Sequence, residues 1–196
     1  MNTTMTAARR AGEVSILGIS GSLRDASLNT TLLRAAARLA GPDARLHLWP
    51  DLAAVPPYNE DHESEPATPV HVMREAIADA DALLIATPEY NGAIPGQLKN
   101  ALDWASRPYR GLVLTGKPVA VIGASPGDQG AAAAQAELRT VLRVAGARVL
   151  THEFSLARAH AAFTRDGRLH EPGLRATLRD LLTALGHEAQ TALEAA

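Results

Sequence analysis

Apolar and polar positions along this chain switch between a period of two and a period near 3.6, and the switches predict its elements in order. Val14-Ser15-Ile16-Leu17-Gly18-Ile19 is a short, β-rich apolar run, the pattern of a buried strand. Leu28, Leu32, Leu33, Ala36 and Leu39 then recur at helical spacing, with Arg34 and Arg38 on the other face, until Gly41-Pro42 stops the helix. Ala44 to Trp49 alternates more and predicts a strand nearer a sheet edge, and Pro50 to Pro69 reads as a long loop rich in proline and acids. Val70, Met73, Ile77 and Ala80 form a helical stripe before Ala82-Leu83-Leu84-Ile85-Ala86, a run apolar on both faces as in a central parallel strand. Pro95 suits a first helical position, and Leu98, Leu102 and Ala105 share one face until Pro108. Val119 to Ile122 predicts a fourth strand, about Ala131 to Ala145 an Ala-rich helix, and Ala147 to Leu150 a fifth strand. A final amphipathic helix carries Leu174, Leu178, Leu181, Leu182 and Leu185.

Strands alternating with helices imply an α/β fold: a doubly wound, five-stranded parallel sheet with helices on both faces. A length of 196 residues with 46% hydrophobic content suits one compact domain, expected over residues 13–196 behind a disordered tail at 1–12. Ligands in such sheets bind beyond the carboxyl ends of the strands, near the point where strand order reverses. The loops after strands one, three and four are the ones loaded with Ser, Gly, Pro, Asn and Glu.

Charge and composition narrow the chemistry. A net charge of −2 and a pI near 6.4 offer no broad attraction for nucleic acid or acidic lipid. The absence of cysteine excludes disulfides, thiolate metal sites and thiol redox, so redox work needs a cofactor. The seven histidines show no His-x-x-x-His or His-x-His pairing, so no metal site is indicated. Arg9-Arg10 is followed by only the short apolar run Val14 to Ile19, too little for an export signal or a membrane span, so a cytoplasmic protein is expected.

The loop after strand one places Ser20, Ser22 and Ser27 hydroxyls, the Asn29 amide and the Arg24 guanidinium around a helix start. Free N–H groups there, with hydroxyl donors, suit a phosphate. Ser27 as a plain helix cap and Arg24 as a solvated arginine are the structural alternatives, but capping needs one hydroxyl and three are present. The loop lacks the third glycine of a dinucleotide fingerprint, so a mononucleotide phosphate matches better. Thr87-Pro88-Glu89-Tyr90-Asn91-Gly92-Ala93-Ile94-Pro95-Gly96 crowds turn formers after the most apolar strand and reads as the wall of a flat, polar-edged cofactor site. Two look-alikes fail. Gly111 to Lys117 resembles a phosphate-binding Walker loop, but Pro118 replaces the magnesium-binding hydroxyl and a strand follows instead of preceding. Gly123-Ala124-Ser125-Pro126-Gly127 resembles a hydrolase nucleophile elbow, but Pro126 has no N–H for an oxyanion hole, which leaves Ser125 as a ligand contact. Trp104 reads as core or interface.

Taken together, Leu17-Gly18-Ile19-Ser20-Gly21-Ser22-Leu23-Arg24 with Ser27 and Asn29, Ala86 to Gly92, Pro95-Gly96, Leu98 to Ala101, Asp103-Trp104, Gly116 to Val119 and Gly123 to Gly127 resemble the NADPH-dependent FMN reductase family, which includes chromate and quinone reductases. The resemblance runs from about Val14 to Leu185. It implies a flavodoxin-like fold, FMN held non-covalently, NADPH or NADH as hydride donor, and a quinone, azo compound, metal oxyanion or free flavin as small-molecule acceptor. It assigns the FMN phosphate to Ser20, Ser22, Arg24, Ser27 and Asn29, with Leu23 among the cofactor-binding residues. It lays Pro88, Glu89, Tyr90, Asn91 and Gly92 along the flavin ring, with backbone N–H groups near Asn91 and Gly92 facing its N5 and O4 edge, and Ser125 beside the ligand. It further implies ping-pong kinetics with no side chain as general base, and a homodimer or homotetramer. Relatives often carry Gly-Thr-Ala-Arg-Ala-Gln where this chain has Gly130-Ala131-Ala132-Ala133-Ala134-Gln135, so a contact made through that arginine is missing at Ala133. The alternative from another class is a flavin-binding electron carrier; such carriers are usually strongly acidic, and this chain is near neutral.

Overall fold

A computed structural model describes residues 12–107 and 113–195. Its strands β1 (Val14–Ser20), β2 (Ala44–Trp49), β3 (Ala82–Thr87), β4 (Pro118–Ala124), β5 (Arg148–Val149) and β6 (Phe154–Leu156) all pair in parallel. The order is β2-β1-β3-β4-β5, with β6 also on β4. The chain moves from β1 to β2 on one side and then crosses to β3 on the other, so strand order reverses between β1 and β3. The helices are α1 (Leu28–Leu39), α2 (Thr68–Asp79), α3 (Gly96–Ala105), α4 (Ala132–Val144) and α5 (Pro172–Glu194).

Alternate side chains of each strand enter opposite cores, as the pleat requires. Leu17, Ile19, Leu83, Ile85, Val119 and Val121 pack with Val70, Met73 and Ile77 of α2, Leu98, Leu102 and Trp104 of α3, and Leu138 and Leu142 of α4. Val14, Ile16, Leu84, Ala120 and Ile122 pack with Leu32, Leu33 and Ala36 of α1 and Leu178, Leu181, Leu182 and Leu185 of α5. Helices on both faces explain why β3 and β4 are buried along their whole length and read as unbroken apolar runs. The alternating β2 is indeed an edge strand. Gly18 is small because β2 and α1 both lie close: a Cβ there would meet Leu46 Cδ2 of β2 at 3.2 Å and Leu33 Cδ2 of α1 at 3.5 Å.

Trp104 is core, only 1% exposed. Its indole N–H donates to Pro56 O at 2.9 Å, fastening the long β2–α2 segment across α3. That segment is not wholly irregular, since it contains short 3₁₀ turns at Leu52–Ala54 and Glu60–His62, and α2 begins at Thr68 with Pro69 in its first turn. Three other expectations shift. Pro95 is the residue before α3 rather than its first: φ of −58° is the ring's, but ψ of 137° is extended, and its carbonyl accepts from Lys99 N at 3.0 Å. The helix expected from Ala131 begins at Ala132, because Ala131 is left-handed at φ 63°.

The fifth strand is the largest correction. It is split into β5, which pairs with Pro118 and Val119, and β6, which pairs with Ile122, Gly123 and Ala124. Arg139, 6% exposed, reaches from α4 into the break and donates through Nη2 to Val121 O at 3.2 Å and His152 O at 3.3 Å. Its guanidinium substitutes for backbone donors that a continuous strand would supply, and burial pushes its pKa down. The tail at residues 1–11, Pro108 as the stop of α3, and Gly111-Leu112 of the Walker-like stretch lie outside the described residues.

Candidate functional site

The β1–α1, β3–α3 and β4–α4 loops meet at the carboxyl edge of the sheet, over the reversal point, and direct bonds lock them together. Gly21 N–H donates to Ala86 O at 2.8 Å, which joins the first loop to the end of β3. A Cβ at Gly21 would lie 2.9 Å from Leu98 Cδ2 and 3.4 Å from both Ala86 O and Pro88 Cδ, so any side chain there must displace Leu98 for the two loops to approach this closely. Asn29, 2% exposed, ties the first loop to the third: its amide donates to Ala124 O and its carbonyl accepts from Ala124 N, both at 2.9 Å. Glu89 ties the second loop to α4, accepting from Ala134 N at 3.1 Å.

In the first loop, Ser27 is the N-cap of α1 and accepts from Thr30 N at 3.1 Å. The cap reading therefore holds for this hydroxyl's acceptor side. Ser20 is half-buried, accepts from the Thr30 hydroxyl at 2.8 Å, and faces Ser22 across two 3.4 Å contacts. Ser22 Oγ accepts from Arg24 N at 3.5 Å. Leu23 and Arg24 are exposed, Leu23 to 54%. Among the described residues, the N–H groups of Leu23, Asp25, Ala26, Ser27, Leu28 and Asn29 have no protein acceptor. They ring the positive end of α1, whose first turn carries no acid, a donor set that fits a phosphate. Asn29 is the exception among the residues singled out from the sequence, since its amide is spent on β4 and it shapes the cradle from beneath. Thr30, not singled out, is the residue that orients Ser20; a hydroxyl one turn inside the helix was the available signal.

In the second loop, Tyr90 and Ala93 exchange backbone bonds, N to O at 3.0 and 3.1 Å, around Asn91 at φ 54° and Gly92 at φ 77°. This is a two-residue turn with both central residues left-handed, the geometry that Asn-Gly favours. It leaves the N–H groups of Asn91 and Gly92 exposed and, among the described residues, without acceptors. Tyr90 stands 48% exposed beside them, whereas Pro88 is buried. Glu89 gives α4 the cap its own sequence lacks, because Ala131 and the first turn offer no side-chain acceptor. Glu137 answers from α4, accepting from Ile94 N at 2.7 Å. The local pattern gave no sign of either clamp. In the third loop, Ser125 is half-buried; its N–H donates to Leu156 O at 3.0 Å and its Oγ accepts from Gly127 N at 3.1 Å.

The arrangement is therefore a donor-rich loop at a helix start, suited to an anion, joined to a tight turn with unpartnered N–H groups and an exposed aromatic ring beside them. No group of three or more metal-ligating side chains occurs among the described residues. Nor is any described helix long and apolar enough to cross a membrane. The set of donors suits a phosphorylated flavin: charge at the helix start, and hydrogen-bond donors for a ring edge rich in acceptors.

Comparison with known proteins points the same way. The family model for NADPH-dependent FMN reductase matches residues 14–161. An NAD(P)H-dependent FMN reductase of Pseudomonas aeruginosa is 43% identical over 175 residues, 88% of this chain and 94% of that one. A 2-hydroxy-1,4-benzoquinone reductase of a Burkholderia species is 48% identical over 123 residues, 63% of this chain and 67% of its own length. The solved structure of FerB, a flavoenzyme NAD(P)H:(acceptor) oxidoreductase from Paracoccus denitrificans, superposes with a TM-score of 0.84 at 36% identity, covering 91% of this chain and 98% of that one. With strand order, loop chemistry and these likenesses in agreement, the chain belongs to the NADPH-dependent FMN reductase family.

Proposed function

We propose that this protein is an FMN-dependent oxidoreductase that passes reducing equivalents from NAD(P)H to quinones. The observation that carries the reading is the junction at the strand-order reversal: the loop with unpartnered N–H groups at the start of α1 is bonded through Gly21 to the end of β3, whose loop carries the left-handed Asn91-Gly92 turn. FMN, when bound, supplies the hydride and electron chemistry. Ser20, Ser22, Arg24 and the N–H groups from Leu23 to Asn29 hold its phosphate, with Ser27 and Asn29 shaping that cradle. Asn91 and Gly92 would donate from the backbone to the ring edge, Tyr90 would shape the stacking surface, and Ser125 would contact the ligand from the third loop.

No side chain here acts as general base, and the protein's part is orientation and electrostatics. Donor and acceptor would use the exposed surface beside Tyr90 in turn, which gives ping-pong kinetics. Such a face tolerates many planar acceptors; quinones lead because relatives at 48% and 41% identity are named as quinone reductases, and azo compounds, chromate-like oxyanions and free flavin follow. A homodimer or homotetramer remains the expected assembly.

The test is direct. The purified protein is loaded with FMN, its flavin spectrum recorded, and NADPH and NADH oxidation followed with a benzoquinone acceptor. Flavin-bound protein that oxidises either nucleotide only when quinone is added supports the reading; flavin-bound protein inert toward both overturns it. Parallel lines in double-reciprocal plots mark the ping-pong sequence, and intersecting lines exclude it.

A further inference from the structure

The NADPH-dependent FMN reductase reading leaves open how the protein tells NADPH from NADH. The two nucleotides differ only at the adenine ribose, by a 2′-phosphate against a 2′-hydroxyl, so any discrimination must lie in groups at the rim, away from the flavin ring. Among the described residues, the loops at the carboxyl edge of the sheet carry arginines at 24, 158, 165 and 168. Arg24 belongs to the phosphate loop. Arg165 and Arg168 lie in the hairpin closed by the Phe163–Leu169 bridge, where Gly167 sits against Thr31 of α1, and Arg168 pairs with Asp166 at 2.7 Å. Arg158 alone of these sits against the β4–α4 loop.

Its setting is unusual. Arg158 is left-handed, φ 46° and ψ 39°, a conformation that glycine or asparagine adopts far more readily. Among the described residues, the three non-glycine residues at positive φ, Asn91, Ala131 and Arg158, all stand around this one edge of the sheet, and backbone strain of this kind collects where a site needs a fixed direction. Neighbouring bonds hold Arg158 in it: its N–H donates to Gly127 O at 3.0 Å, its carbonyl accepts from Ala161 N at 3.0 Å, and Ala159 N donates to Ser125 O at 3.0 Å. The side chain is 77% exposed and meets Asp128, 81% exposed, with Nε 3.6 Å from its carboxylate. Its guanidinium makes no hydrogen bond among the described residues. A surface pair this open contributes little to stability, so stability does not account for a strained backbone that presents it.

We propose that Asp128 and Arg158 together read the adenine ribose of the nicotinamide dinucleotide. The free guanidinium fork of Arg158 takes the 2′-phosphate of NADPH, for which its planar donors are matched. The Asp128 carboxylate accepts from the 2′-hydroxyl of NADH and repels the 2′-phosphate. The pair thus admits both donors and sets the ratio between them. This rests on the oxidoreductase reading, since it supposes that the dinucleotide docks across this rim.

The test compares wild type, Arg158→Gln and Asp128→Asn as FMN-loaded proteins, with a benzoquinone acceptor and each nucleotide in turn. The kcat/KM ratio of NADPH to NADH should fall about tenfold in Arg158→Gln, the order expected for a lost hydrogen bond to a charged group, and rise in Asp128→Asn. Calorimetry provides a readout without turnover: adenosine bearing both 2′- and 5′-phosphates should bind Arg158→Gln more weakly than wild type, while AMP binding changes less. Opposite movement of the ratio in the two variants is what a purely structural defect does not produce. A ratio that stays put in both, or moves the same way in both, overturns the proposal. Wild-type protein that oxidises neither nucleotide brings down the oxidoreductase reading itself, so the two failures are distinguishable.

Discussion

The loops after β1 and β3 sit side by side and solve opposite problems. The first keeps its donors free: six N–H groups from Leu23 to Asn29 lack protein acceptors, and Ser20 and Ser22 meet one another only at 3.4 Å. The second spends its polar groups on itself and on α4, through the Tyr90–Ala93 bridge, Glu89 on Ala134 N and Glu137 on Ile94 N. A dianionic phosphate supplies acceptors enough to satisfy a loose ring of donors once bound. A neutral ring edge offers only a few acceptors, so the donors facing it must already be in place. In the proposed roles, a loop that takes charge can stay open, and a loop that takes a plane must be rigid.

Where the two loops touch, at Gly21, the contrast breaks most severely. Gly21→Val drives side-chain atoms into Leu98, Ala86 O and Pro88; a stability loss of about 3 kcal/mol is expected, with FMN retention lost in step, as thermal unfolding and flavin fluorescence will report. Ser20→Ala with Ser22→Ala tests the open loop alone. FMN affinity should fall by about 1 kcal/mol for each lost bond, measured by fluorescence titration, while the apo-protein melts where wild type does. Unchanged affinity would remove the phosphate assignment.

Glu89→Ala tests the clamped loop, and its signature should be reversed. Uncapping α4 lowers stability by about 1 kcal/mol, seen as a drop in melting temperature of apo-protein, with FMN affinity reduced less than by the serine pair. Equal effects of the two variants on affinity and melting would erase the distinction between the loops. Asn91→Gly is the mildest. Glycine reaches φ 54° without strain, so stability should change by only about a few tenths of a kcal/mol and FMN affinity should persist, because the contact expected at this position is backbone.

The strands and helices that bury a long stripe were legible because their apolar periods survive without knowledge of partners. β3 could be read as central from Ala82 to Ala86, and α1 from Leu28 to Leu39, since each has enough residues for its pattern to show. β6 was not legible. Phe154-Ser155-Leu156 is three residues long, carries no period, and is a strand only because β4 extends alongside it. Among the site residues, the hydroxyl loop and the Asn-Gly turn announce themselves by local chemistry. The roles of Asn29, Glu89 and Glu137 do not, because each is defined by a partner 95, 45 or 43 positions away.

The sequence by itself determined the alternating α/β order, the carboxyl-edge loops that carry polar chemistry, the dependence of redox work on a cofactor in a chain without cysteine, and the turn-forming stretch around Asn91-Gly92. These depend on steric and hydrophobic preferences that act over a few residues. Only the tertiary structure decided that the fifth strand is split around Arg139, that Asn29 braces β4, that Glu89 caps a helix it does not precede, and that Arg158 faces Asp128 at the rim. Each of those is a bond between distant segments, and a bond's energy reveals nothing in the chain until folding brings its two ends to about 3 Å.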